Sequence, residues 1–133
     1  MERKVAYYET DRMGIVHHSN YIRYMEEARL SWLEEKGLNY QQLESLGIML
    51  PVISVDANYK KSLKFGDTFK IITTLKELTN VKIRFEYVIK NALTDEICCT
   101  GESSHCFVNN DFKPMALRKT YPDIFKIFQQ CLS

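Results

Sequence analysis

The segment Asp11-Arg12-Met13-Gly14-Ile15-Val16-His17-His18 gathers an acid, a glycine and paired histidines into one short stretch. A carboxylate can attack a carbonyl or activate a water. Gly14 lets the backbone turn with positive φ or approach a ligand closely. His17 and His18 precede Ser19 and Asn20, either of which can cap a following helix. The free N–H groups at a helix start suit a developing oxyanion. Together these parts fit acyl transfer. Taken singly they have plainer uses, because an Asp before a helix readily holds its own turn and histidines at a helix entrance are often simply solvated. Metal binding is not expected: there is no H-x-x-x-H spacing, and a third ligand would have to come from His105 or an acid.

The elements that must hold this segment follow from periodicity. From Asn20 to Glu35, Tyr21, Met25, Ala28 and Trp32 recur at helical steps, widened by Tyr24 and Leu33, and Lys36-Gly37 ends the helix. A shorter helix is predicted from Tyr40 to Leu46, ended by Gly47. After Pro51 the period becomes two: Ile53, Val55, Ala57 and Tyr59; then Phe69, Ile71, Thr73 and Leu75; then Val81, Ile83, Phe85, Tyr87 and Ile89. These read as half-buried strands, with Thr79-Asn80 and Asn91 to Asp95 as hairpin breaks and a last run from Ile97 to Val108. With an early VAYYE strand they make about five antiparallel strands in a meander, covered by the long helix, an α+β class. Thr120 to Cys131 reads as a closing helix. Long edge strands call for pairing across a two-fold axis, so a homodimer is expected.

Composition narrows the function. The chain has 133 residues, 18 Lys+Arg against 17 Asp+Glu and a formal charge of +1, with 45% apolar residues. That suits one folded domain spanning residues 1–133, without linker or repeat. The even spread of charge offers no basic arm for nucleic acid. No stretch approaches a membrane span and the N-terminal residues carry no apolar h-region, which predicts a cytoplasmic protein without membrane insertion. Cys98, Cys99, Cys106 and Cys131 lack CxxC spacing and read as buried free thiols.

The motif as a whole resembles the hotdog-fold acyl-CoA thioesterases of the 4-hydroxybenzoyl-CoA thioesterase-like superfamily, especially the bacterial branch associated with the Tol–Pal operon. That branch reads D-T-D-x-x-G-x-V, an aromatic or His, a second His, then Y and a helix bearing E-x-A-R. Here Glu9-Thr10-Asp11, Gly14, Val16, His17, His18 and Tyr21 stand in those positions, followed by Glu26-Glu27-Ala28-Arg29. Ala57, Tyr59, Gly66 and Asp67 match a later A-x-Y-x-x-P-x-x-x-G-D pattern, with Ser62 replacing proline. Lys113-Pro114 begins a K-P-x-x-x-P signature, in which Arg118 replaces the second proline.

The resemblance implies a curved sheet wrapped around one long helix, a dimer or tetramer with sites at the interface, and hydrolysis of acyl-CoA without a cofactor. It implies that Asp11 acts as nucleophile or general base and that the backbone N–H of His18 meets the carbonyl oxygen. The His18 ring is ranked first as an orienting group and second as a proton carrier. Tyr8, Gly14, Val16, His17 and Tyr21 are candidate substrate contacts, although Tyr8 also suits core packing. Lys60 and Lys61 are candidates for the coenzyme A phosphates. Arg29 is expected to pair with a carboxylate, and Glu26 to make a polar contact beneath the site. An acyl carrier protein thioester as substrate, a hotdog dehydratase or hydratase, and a noncatalytic acyl-CoA binder are the alternatives.

Overall fold

The computed structural model describes all of residues 1–133. Five antiparallel strands, β1 (Glu2–Lys4), β2 (Val52–Tyr59), β3 (Thr68–Leu78), β4 (Lys82–Asn91) and β5 (Ile97–Cys106), form one sheet in the order β1-β3-β4-β5-β2. The helices are α1 (Ser19–Glu35), α2 (Tyr40–Ser45), α3 (Leu117–Thr120) and α4 (Pro122–Gln130).

The stripe predicted for α1 is its buried face: Tyr21, Tyr24, Met25, Ala28, Trp32 and Leu33 are all buried. Tyr24 packs on Phe69 with ring centroids 4.5 Å apart, and Trp32 meets Phe85 edge-on. A Cβ on Gly101 would lie 2.4 Å from both Met25 Cε and the Asp56 carbonyl oxygen, so β5 requires glycine where α1 presses on it. At its far end Gly37, at φ +75°, closes α1: Gly37 N–H donates to the Glu34 carbonyl and Leu38 N–H to the Leu33 carbonyl.

Several sequence expectations need correction. VAYYE is not a strand: β1 ends at Lys4, and Tyr7–Glu9 form a 3₁₀ turn. The Glu9 carboxylate folds back to accept the Ala6 N–H at 2.8 Å, while Thr10 N–H donates to the Tyr7 carbonyl, which curls the backbone out of extension. Neither Ser19 nor Asn20 caps α1; His18 occupies the N-cap, and the Asn20 side chain reaches the Glu9 carbonyl instead. The strands form a meander only from β3 to β5, because β2 pairs with β5 at the sheet's edge. With a neighbour on one side alone, β2 stays largely exposed, including Ile53 at 50% and Tyr59 at 51%. The last strand stops at Cys106, and the closing helix begins at Pro122 after the separate turn of α3.

Beneath α1 runs a chain of buried polar groups. Arg29 Nη1 donates to Tyr87 Oη at 3.4 Å, Tyr87 Oη lies 2.7 Å from Ser103 Oγ, Ser103 Oγ 2.8 Å from His105 Nε2, and His105 Nδ1 3.2 Å from the Leu50 carbonyl oxygen. A carbonyl can only accept, so Nδ1 carries the proton of a neutral imidazole, and every other donor is then fixed in sequence along the chain. Arg29 therefore meets a phenol, not the expected carboxylate.

Candidate active site

Residues 10–16 fold into a narrow hairpin that presents Asp11. Thr10 bridges Val16, Asp11 N–H donates to the Ile15 carbonyl at 2.8 Å, and Gly14 N–H donates to the Asp11 carbonyl at 3.0 Å. Gly14 sits at φ +78°, a conformation that a side chain would strain. Asp11 Oδ1 accepts the Met13 N–H at 2.8 Å, the turn-holding role expected of such an acid, and Oδ2 has no partner within the chain. Val16 N–H donates to the Leu63 carbonyl at 2.8 Å, so the hairpin is laid against the segment that follows β2.

His17 and His18 lead directly into α1, their rings 4.2 Å apart. The His17 N–H donates to the Glu9 carbonyl at 2.9 Å, and its ring Nδ1 lies 2.9 Å from Ser19 Oγ. The His18 N–H has no acceptor in the chain. An unpaired main-chain donor at a helix N-cap is free to bind an incoming anionic or carbonyl oxygen.

Asp11 and His18 line one cleft of about 270 Å³, together with Val16, Tyr21, Lys60 and Lys61. Tyr21 is buried, and burial pushes its phenol up to about 12, so it stays neutral. Lys61 pairs with Glu96, and that partner raises its pKa. Lys60 is exposed and has no carboxylate partner. The nearby Cys99 thiol is pushed up to about 11 and that of Cys98 is also raised, in both cases chiefly by burial, which leaves neither thiolate available near neutrality.

Three candidates fall outside the cleft. Gly14, exposed at the tip of the hairpin, holds the turn that presents Asp11 but does not line the cavity. Tyr8 is 82% exposed on the 3₁₀ turn, neither in the core nor in the cleft, because the curl after Ala6 swings it outward. His17 faces solvent beside Ser19. Glu26 is exposed and makes no hydrogen bond beneath the site. Conversely, Met13, Ile15, Tyr59 and Ser62 line the cleft but were not chosen from sequence. Tyr59 donates to the His18 carbonyl at 3.4 Å, with its ring edge-on to Tyr21. Its signal was the A-x-Y pattern at the end of a strand.

The thioesterase-like superfamily pattern matches residues 5–122. The chain belongs to that superfamily. It is 37% identical over 123 residues to YneP of Bacillus subtilis (strain 168), provisionally named an acyl-CoA thioesterase, covering 92% of this chain and 88% of that one. It is 27% identical over 132 residues to the acyl-CoA thioesterase YbgC of Helicobacter pylori, covering 93% and 97%. Its backbone is similar to that of a DHNA-CoA thioesterase from Staphylococcus aureus, with TM-score 0.92, 30% identity and coverage of 98% and 87%. In this superfamily member the sheet wrapped around α1 is therefore the hotdog arrangement.

Proposed function

We propose that the protein hydrolyses acyl-CoA thioesters to a carboxylic acid and free coenzyme A. The observation that carries this reading is the pairing, in one cleft, of the half-buried Asp11 carboxylate with the unpaired His18 N–H. A thioester carbonyl is reactive enough that one positioned carboxylate and one oxyanion donor suffice. Asp11 either adds to the carbonyl carbon, expelling the thiolate and leaving a mixed anhydride that water cleaves, or removes a proton from the water that attacks. The free Oδ2 supports both routes. The exposed His18 ring orients the substrate, with proton delivery to the departing thiolate as its second use. Lys60 and Lys61 at the cleft attract the phosphates of coenzyme A, and Val16 and Tyr21 shape the acyl end, while Gly14 serves the site by making the turn that presents Asp11.

The unpaired, apolar edge of β2 supports a homodimer, with Val52, Ile53, Val55 and Tyr59 covered by the same strand of a second copy. Residues 1–133 act as one thioesterase domain, in the cytoplasm where acyl-CoA is made and used. Its assignment to the Tol–Pal-associated branch rests on the motif that runs from Glu9 to Tyr21 and on Glu26-Glu27-Ala28-Arg29 in α1. The unpaired Lys60 favours a second form of substrate, a thioester carried on an acidic acyl carrier protein, because its cation would meet acidic side chains as well as phosphate.

The test is thiol release from a panel of acyl-CoAs, with Asp11→Asn alongside and both proteins shown to be folded. Asp11-dependent release is expected. Retained coenzyme A binding with no release from any substrate would overturn the hydrolase reading, and reversible hydration of an enoyl-CoA would replace it.

A further inference from the structure

The N–H of His18 can act only if it points the right way, and the structure fixes its direction in an unusual manner. The N–H and the preceding C=O of one planar peptide point in opposite directions, so the His17 carbonyl sets the His18 N–H. That carbonyl accepts the Asn20 N–H at 3.0 Å. The other end of His17 is tied by its N–H to the Glu9 carbonyl at 2.9 Å, and the Asn20 side-chain Nδ2 donates to the same Glu9 oxygen, also at 2.9 Å. Asn20 thus bonds the His17 carbonyl through its main chain and, through its side chain, fixes the Glu9 oxygen to which the His17 N–H is tied.

The Glu9 carbonyl is itself on a firm base. Its carboxylate is buried, accepts the Ala6 N–H and pairs with Arg3, which also reaches Glu27 on α1 at 2.7 Å and lies over the Tyr24 ring. Asn is a poor helix former, and here, in the first turn of α1, it caps nothing. Its side chain is committed to the turn before the helix, a use that helix formation does not explain.

We propose that Asn20 is a positioning residue for the reaction, whose side-chain amide, by binding the Glu9 carbonyl, aims the free His18 N–H at the substrate carbonyl. The inference rests on the thioesterase reading above. Preorganised donors act through direction more than through affinity, so losing the clamp should lower turnover and leave substrate binding intact.

The experiment compares Asn20→Ala and Asn20→Asp with the unaltered protein in acyl-CoA hydrolysis, thermal unfolding and amide exchange at His17. Asp has the same shape but cannot donate to a carbonyl, and an acid in the first turn favours the helix. A role in helix stability alone would therefore spare Asn20→Asp. The expected result is a kcat lower by about ten- to a hundredfold in both variants, with KM within about twofold and faster exchange of the His17 amide. Unchanged kcat in Asn20→Asp, or loss of kcat only in step with unfolding, would overturn the positioning role while leaving the thioesterase standing. Absence of any hydrolysis by the unaltered protein would overturn both.

Discussion

The chain carries two histidine-bearing polar regions, and they are built on opposite terms. His105 is wholly buried, with both ring nitrogens bonded in a chain that runs from Arg29 to the Leu50 carbonyl. His18 is exposed, its N–H unpaired, in a cleft with a carboxylate that keeps one oxygen free. A polar network satisfied from end to end stabilises and specifies the core, and opening it has a cost. A site with unused donors and acceptors gives up that stabilisation and keeps its capacity for a ligand. The proposed chemistry thus belongs to the open region and the architecture to the closed one, although Ser103 and His105 stand at a distance that would suit a nucleophile and its base.

The sharpest way to break this comparison is to alter one residue in each region. Asp11→Asn removes the proposed nucleophile or base and is expected to lower kcat by about a thousandfold, with a melting temperature close to that of the unaltered protein. Retained turnover in steady-state thiol release would remove Asp11 from the chemistry. His105→Ala should do the reverse. It strands the Ser103 hydroxyl and the Leu50 carbonyl and opens a cavity, at a cost of about 2–4 kcal/mol. Urea unfolding should show an earlier midpoint at unchanged slope, and kcat per folded molecule should hold.

Acid sharpens the same contrast. Burial, aided by the Arg29 charge, pushes His105 down to about 4 from its ordinary 6.5. Tyr87, Ser103 and the Leu50 carbonyl face it as neutral groups. The unfolded chain then binds a proton below pH 6.5 that the folded chain refuses. Stability from this group is complete above pH 6.5, falls as the pH drops toward 4 and levels off below, by up to about 3 kcal/mol in all. In His105→Gln that part of the pH dependence of unfolding should flatten; an unchanged slope would mean that other groups carry it.

What could be read from sequence divides along the same line. The buried stripe of α1 and the alternation of β3 and β4 were legible because burial on one face imposes a period. The Asp11–His18 motif was legible because its residue types are unusual side by side. The order of the sheet was not, since β2 reaches its β5 partner through contacts distant in sequence. Nor was the 3₁₀ turn at Tyr7, where the unbroken apolar and aromatic run of VAYYE suits a strand and only the Glu9 carboxylate bending back on Ala6 decides otherwise. Tyr59 was hidden for a related reason: a strand position says which face a side chain takes, and the cleft against that face comes from a turn some forty residues earlier, the hairpin laid along Leu63.

The smallest expected effect concerns the two lysines, which sequence treats alike and structure does not. Lys61 already holds Glu96, so a phosphate must compete for its ammonium, whereas Lys60 has no carboxylate to leave. Lys60→Ala should therefore raise KM for acyl-CoA by about three- to tenfold at low salt and Lys61→Ala by about twofold or less, with kcat unchanged in both. Because exposed charges are screened, the difference should shrink as ionic strength rises past about 0.15 M. Adding Glu96→Gln to the unaltered protein frees Lys61 and should lower KM slightly. Equal effects of the two lysine changes, insensitive to salt, would mean that neither meets the nucleotide and that both merely solvate the end of β2.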